Sequence, residues 1–217
     1  MTGYNNLLNQ LREVYNELSG DYKQRRKHYE NFLEERKTLV PFVSLVKNQK
    51  FSKISILEIG PGSGLDLKDM IQEEFQTTAM DISEKMIEVA REVAPETEYI
   101  THDFLTYDFK DIKYEGIFAR GFIHLFPKDL AIENIKKIGS LLVPRGIAFI
   151  GTTKHEKPWE GWLSKEEYSK ELMRYRKKWT EEELEQALIE LGFDILYRGY
   201  HQEKKDKLWM FPIVQKP

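Results

Sequence analysis

From Lys53 to its carboxyl end, the 217-residue chain predicts an α/β fold. The expected fold is a seven-stranded, mostly parallel sheet with an antiparallel terminal hairpin and helices on both faces. Three observations lead there. Short β-rich runs alternate with amphipathic helical stretches, the order that parallel strands joined by crossover helices require. Cap and turn residues, Ser83, Pro144-Arg145-Gly146, Thr180 and Gly192, stand at the junctions. The last two β-rich runs are joined only by the charged connection QEKKDK, which suits a hairpin.

Before the sheet, residues 5–18 and 21–48 have helical spacing, with Leu7, Leu8, Leu11, Val14, Tyr15 and Leu18 in the first stretch and Ser19-Gly20 as the expected break. KISILEIG reads as the first strand, LDLKDMIQEEF as a helix and QTTAMD as the second strand. SEKMIEVAREVA is a helix opened by Ser83, with Met86, Ile87, Val89, Ala90 and Val93 on one face. EYITHD and YEGIFARG supply strands three and four. A helix over 128–142 ends at Pro144-Arg145-Gly146, and GIAFIGTT is strand five. Thr180 caps the helix EEELEQALIEL, and FDILYRGYH and KLWMFPIVQK close the sheet. The length suits one domain with additions: a helical cap or lid over 1–50 and a sheet domain over 51–217, with an insert at about 154–179. An open sheet of this kind takes its ligand beyond the carboxyl ends of the strands, where the strand order reverses.

Composition removes several classes of function. With 33 basic against 36 acidic side chains, the chain lacks the basic excess of a phosphate-tracking nucleic-acid binder. The absence of cysteine excludes disulfides, thiolate metal sites and cysteine nucleophiles, and no metal site is expected. It also suits a reducing cytoplasm. The amino-terminal residues carry polar and charged side chains where a signal peptide needs an apolar core, and no window approaches a membrane span.

ILEIGPGSG, residues 56–64, is a buried-type strand turning into alternating glycine behind Glu58. Glycine permits positive φ, and its missing Cβ lets a ligand lie against the backbone. The dinucleotide spacing GxGxxG requires glycine at 65, where this chain has Leu65, so a pyrophosphate is disfavoured. Glu58, Gly60, Gly62 and Gly64 form ExGxGxG, which resembles the first motif of class I S-adenosyl-methionine-dependent methyltransferases. The resemblance runs from about residue 50 to the end and implies a Rossmann-like sheet with S-adenosyl-methionine as cofactor. YEGIFARGFIHLFPKDL, IKKIGSLLVPRGIAFIG and WTEEELEQALIELGFDILYRGY resemble the later segments of the family in order, although Glu115 stands where the family often has aspartate.

The resemblance implies the cofactor residues one by one. Glu58, Gly60, Pro61, Gly62 and Gly64 would surround the amino-acid and ribose parts. Asp81, 17 residues after Gly64, would hold the ribose hydroxyls, with Ile82 and Met86 beside it. Asp103 would meet the adenine amino group, and Phe104 would line the ring. Tyr22 and Arg26, one helical turn apart, would reach the amino-acid end, the arginine through the carboxylate; an exposed charged helix is the plainer reading of Arg26. Arg120 and His124 lie at the end of the fourth strand, facing the cofactor's methionine end or the acceptor. His124 either takes a proton or positions the acceptor, or is a packed, hydrogen-bonded histidine.

The family often builds its acceptor pocket where this chain has 154–179. Trp159, Trp162, Tyr168, Tyr175 and Trp179 are candidate walls, and Arg174 and Arg176 are candidates for an anionic acceptor; a helical insert packing its aromatics on the sheet is the alternative. No D/N/S-Pro-Pro-aromatic segment follows the fourth strand, where the chain reads ARGF, and no target-recognition domain is visible. The expected acceptor is therefore a small molecule, not a nucleic acid or a membrane, and the expected assembly a monomer or homodimer. A cofactor-binding protein without turnover and a nucleotide-dependent oxidoreductase are the competing readings.

Overall fold

The protein was analysed as a computed structural model, which describes residues 2–29, 37–164 and 172–216. Helix α1 (Thr2–Tyr29) and helix α2 (Val40–Asn48) precede the sheet. The strands are β1 (Ser55–Ile59), β2 (Gln76–Asp81), β3 (Glu98–Thr101), β4 (Tyr114–Arg120), β5 (Leu142–Thr153), β8 (Asp194–Lys204) and β9 (Lys207–Gln215). Helices α3 (Leu65–Gln72), α4 (Glu84–Arg91), α5 (Lys128–Leu141) and α6 (Glu181–Glu190) connect them. A separate hairpin, β6 (Trp159–Ser164) and β7 (Met173–Lys178), occupies the stretch between β5 and α6. No helix among the described residues is long and apolar enough to cross a membrane.

The sheet order is β3-β2-β1-β4-β5-β9-β8. The first five strands are parallel, and β9 enters antiparallel between β5 and β8. The order reverses between β1 and β4, which opens a crevice at their carboxyl ends. Both faces are covered. Leu57, Ile59, Ile117 and Ala119 point into the larger core with α1 and α5, while Ile56, Phe118 and Phe149 point the opposite way, towards α2. That alternation follows from the two-residue period of a strand. Phe118, Phe149 and Phe211 stack across neighbouring strands, with centroids 4.2 and 5.2 Å apart.

The caps work as their residue types dictate. Ser83 Oγ accepts from Met86 N at 3.1 Å, and Thr180 Oγ1 accepts from Glu183 N at 3.2 Å. At the far end of α6, Gly192 N donates to Ile189 O and Phe193 N to Leu188 O, the paired bonds of a Schellman ending. Glu115, the departure from the usual aspartate, accepts from Ser55 N at 2.7 Å and Ser55 Oγ at 2.6 Å, so it ties the start of β1 to β4.

Three local expectations change. Ser19-Gly20 does not break the first helix: α1 runs through, Ser19 Oγ donates to Asn16 O at 2.9 Å, and Leu18 is fully buried. A helical glycine costs only about 1 kcal/mol, less than burying one leucine returns. Pro144-Arg145-Gly146 does not separate helix from strand. Tyr114 pairs with Leu142 and Gly116 with Ile147, so these residues loop out as a bulge inside β5, with Arg145 at φ 62°. The insert holds a β-hairpin and not the alternative helix: β6 and β7 pair antiparallel from Trp159–Lys178 to Ser164–Met173.

Candidate active site

A cavity of about 550 Å³ opens at the reversal of strand order, in the range of small-molecule sites. The end of β1 brings Glu58, Gly60, Pro61 and Gly62 to it, the end of β2 brings Asp81 and Ile82, and β4 brings Arg120. Met86, Asp103, Phe104 and His124 also line it, as does Tyr22 of α1.

The three glycines have different tasks. Gly60 adopts φ 71°, and a Cβ there would meet nothing within 4 Å. Its bare backbone faces open cavity. Gly62, at φ 55°, lies under Tyr22, whose Cε1 would be 3.5 Å from an added Cβ. Gly64, at φ 81°, does not line the cavity; an added Cβ would stand 2.7 Å from Ala90 O and 2.9 Å from Ala90 Cα. The expectation that it makes room for a ligand is thus corrected: Gly64 lets the start of α3 pass against α4.

Glu58 is 2% exposed, and its Oε2 has no hydrogen-bond partner. Burial holds its carboxyl well above the usual range, Asp66 adds to the rise, and Arg120 opposes it. Arg120 reaches Asp66 at 3.4 Å, donates to Thr38 Oγ1, and lies over Phe118 and Phe149. Asp81 accepts from Ser83 N at 2.8 Å; burial pushes its pKa up to about 7 against the Ser83 and Ile82 amides. Only partly buried, it is open to a ligand hydroxyl on the cavity side.

Asp103 and Phe104 stand where expected, but the Asp103 carboxylate is already occupied. It accepts from Tyr4 OH at 2.9 Å, Thr106 Oγ1 at 2.7 Å, Thr106 N at 3.0 Å and Leu105 N at 3.4 Å. A carboxylate has about four acceptor sites, so an adenine amino group would have to displace Tyr4. Arg26 does not line the cavity: it pairs with Glu92 at 3.3 Å, as Lys23 does at 2.6 Å. Its side chain is 18% exposed and its Nη1 is buried, so it is not the freely exposed charge of the plainer reading either.

His124 sits in a 3-10 turn, Ile123–Leu125, 7% exposed, with Nδ1 3.0 Å from Thr152 Oγ1 and its ring 6.0 Å from that of Trp209. It is a packed, hydrogen-bonded histidine that also reaches the cavity. In the hairpin, Arg174 and Arg176 line the cavity, whereas Trp159, Trp162 and Tyr175 do not. Trp162 is 42% exposed against Tyr175, and Trp159 is 41% exposed beneath Lys178. Trp179 is buried in the core. Tyr168 lies outside the described residues.

Sequence reasoning missed Leu8, Leu11, Tyr15, His155, Lys178 and Trp209, all lining residues. The helical stripe of Leu7, Leu8 and Leu11 was visible but carries no sign of whether it covers sheet or ligand. Lys178 was readable from the period of β7, two residues after Arg176. Trp209 reaches the site from the terminal hairpin, which no local signal ties to it.

Residues 56–146 match a family model described as a methyltransferase domain. Over that stretch the chain is similar to methyltransferase domains, and its fold is that of solved methyltransferases. The magnesium protoporphyrin IX methyltransferase of Synechocystis PCC 6803, with bound S-adenosyl-methionine, is similar at a TM-score of 0.71 and 17% identity, covering 97% of each chain. The Burkholderia thailandensis 1,6-didemethyltoxoflavin-N1-methyltransferase, with bound 1,6-didemethyltoxoflavin and S-adenosylhomocysteine, gives 0.66 at 16% identity, covering 95% of this chain and 90% of that one. An N-methyltransferase from Bradyrhizobium japonicum WM9, in complex with S-adenosylhomocysteine, gives 0.64 at 16%, covering 86% and 88%. No curated protein sequence matches.

Proposed function

We propose that this protein is a methyltransferase that transfers the methyl group of S-adenosyl-methionine to an O, N or C nucleophile of a small molecule by in-line displacement. Glu58 carries the reading: a carboxylate 2% exposed, with one oxygen unpartnered, opening on the cavity beside the bare backbone of Gly60. An orphaned buried acceptor costs about 1–3 kcal/mol, and a ligand ammonium would satisfy it.

The remaining residues fit the rest of that cofactor. Asp81 would accept from the ribose hydroxyls, and Ile82, Met86 and Phe104 would flank the purine. Tyr22 and the Leu8–Leu11 stripe of α1 would cap the site from residues 1–50, while the insert at 154–179 would bound the acceptor. The bound cofactor supplies an electrophilic methyl on its sulfonium, which leaves orientation and exclusion of water to the protein. Arg120 would steady the methionine end through Asp66 and the carboxylate. His124 would position the acceptor or take its proton.

Three experiments test this. Calorimetry with S-adenosyl-methionine, S-adenosylhomocysteine and NAD should show binding of the first two; binding of NAD alone would sink the reading in favour of an oxidoreductase. Incubation with methyl-labelled cofactor and a cell extract should label a small molecule. Label confined to protein or RNA would overturn the acceptor class, and binding without any transfer would leave a cofactor-binding protein. Unchanged turnover in His124→Ala would remove that residue from the mechanism.

A further inference from the structure

The cavity is divided by charge. Glu58, Asp66, Asp81 and Asp103 stand at one end with Arg120 among them. At the other end, Arg174, Arg176 and Lys178 succeed one another at every second position of β7, so they share the strand face that lines the cavity. Arg174 is 2% exposed, and the other two are partly buried. Lys154, Lys177 and Lys207 also reach this end, but each has a glutamate: Glu181, Glu183 at 2.6 Å and Glu203 at 2.6 Å.

Among the described residues, Arg176 and Lys178 have none, and neither forms an ion pair: Arg176 donates to Tyr175 O at 3.3 Å, and the Lys178 ammonium lies 5.2 Å over the Trp159 ring. Besides Glu203, Asp206 in the turn between β8 and β9 is the acid lining this end. His155, with Nε2 3.0 Å from Thr153 Oγ1, has its pKa lowered by burial and by Lys178. The lining also includes the apolar side chains of Leu125, Phe126, Leu163, Leu208 and Trp209.

We propose that the acceptor is an anionic small molecule, with an apolar or aromatic body against Phe126, Leu163 and Trp209 and a carboxylate or phosphate on Arg176 and Lys178. The proposal rests on the methyltransferase reading above. Neighbouring cations in a walled cavity repel one another and have given up water; one anion relieves both costs, and arginine can grip it with two parallel bonds. A neutral or cationic acceptor would leave that repulsion in place.

The test is calorimetry on protein saturated with S-adenosylhomocysteine, using 2-naphthoate, 1-naphthyl phosphate and the uncharged 2-naphthalenemethanol as probes. At least one anion should bind about tenfold or more tightly than the alcohol, as a charge-assisted pair implies, and weaken as salt rises. The double variant Arg176→Gln/Lys178→Gln should lose that preference while keeping its affinity for S-adenosylhomocysteine. Arg176→Lys/Lys178→Arg should retain most of it, which separates charge from a folding defect. Equal binding of the three probes, binding of none, or an unchanged preference in the glutamine variant overturns the proposal. Weaker S-adenosylhomocysteine binding in the glutamine variant would give the strip to the cofactor's own carboxylate and overturn it too. Wild-type protein that binds no S-adenosylhomocysteine would defeat the methyltransferase reading, and this proposal with it.

Discussion

At Gly64 the absence of one methyl group lets two helices meet. Gly64→Ala places a Cβ 2.7 Å from the backbone oxygen of Ala90, which cannot move aside as a side chain would, and also forces alanine to φ 81°. Together the clash and the left-handed backbone should cost about 3 kcal/mol or more, a Tm loss of roughly 6–12 °C by thermal melting. Gly60→Ala meets no neighbour and should cost only the backbone strain, about 1–2 kcal/mol, but it should weaken S-adenosyl-methionine binding because its methyl occupies ligand space. At Asp81 the prediction concerns pH. A carboxyl raised to about 7 in the fold binds more protons there than in the unfolded chain, so stability falls as pH climbs from about 4 to 7 and is level above. In Asp81→Asn that loss is absent. Between pH 5 and pH 8 the variant's Tm should decline less than the wild type's by several degrees, reflecting on the order of 1–2 kcal/mol after allowance for solvent reaching the group.

Helix α1 acts as a strap, held at three places by residues far away in sequence. Tyr4 donates to Asp103, Ser83 Oγ donates to Asn16 Oδ1 at 2.7 Å, and Lys23 and Arg26 pair with Glu92. From Tyr4 to Arg26 a helix rises about 33 Å, enough to cross the ends of β2 and β3 and the start of α4. A break at Ser19-Gly20 would separate the outer anchors, which is why its continuity matters. Tyr4→Phe should leave Asp103 one donor short and cost about 1–2 kcal/mol by chemical denaturation. Thr180→Ala, which removes the cap of α6, should cost about 1 kcal/mol, or roughly 2–4 °C. Such caps were legible because their bonds close within three residues. The hairpin β6–β7 was harder: Trp159, Trp162 and Tyr175 suggested pocket walls, but Arg174, Arg176 and Lys178 line the cavity from one face of β7, while Trp162 and Tyr175 pair on the other.

Across the whole molecule the cofactor should behave as a folding ligand. At about one hundred times its dissociation constant, S-adenosyl-methionine should add roughly 2.7 kcal/mol, raising Tm by about 5–10 °C in a melt, whereas NAD should leave it unchanged. The order of five parallel strands and a closing hairpin was readable because it follows from alternating periodicity and connection length. The placement of Glu58, Gly60 and Asp81 at the cavity was readable too, since they sit at strand ends, where backbone position is set by neighbours in the chain.

By itself the sequence determined the fold class, a ligand crevice at the carboxyl ends of the strands and the residues that approach it from β1, β2 and β4. Only the tertiary structure decided that Gly64 serves helix packing, that Tyr22 enters the cavity while Arg26 leaves for Glu92, and that Arg176 and Lys178 face inward. The physical reason is the same in each case. Periodicity separates two faces of a strand or helix, but which face is covered depends on elements packed from elsewhere in the chain.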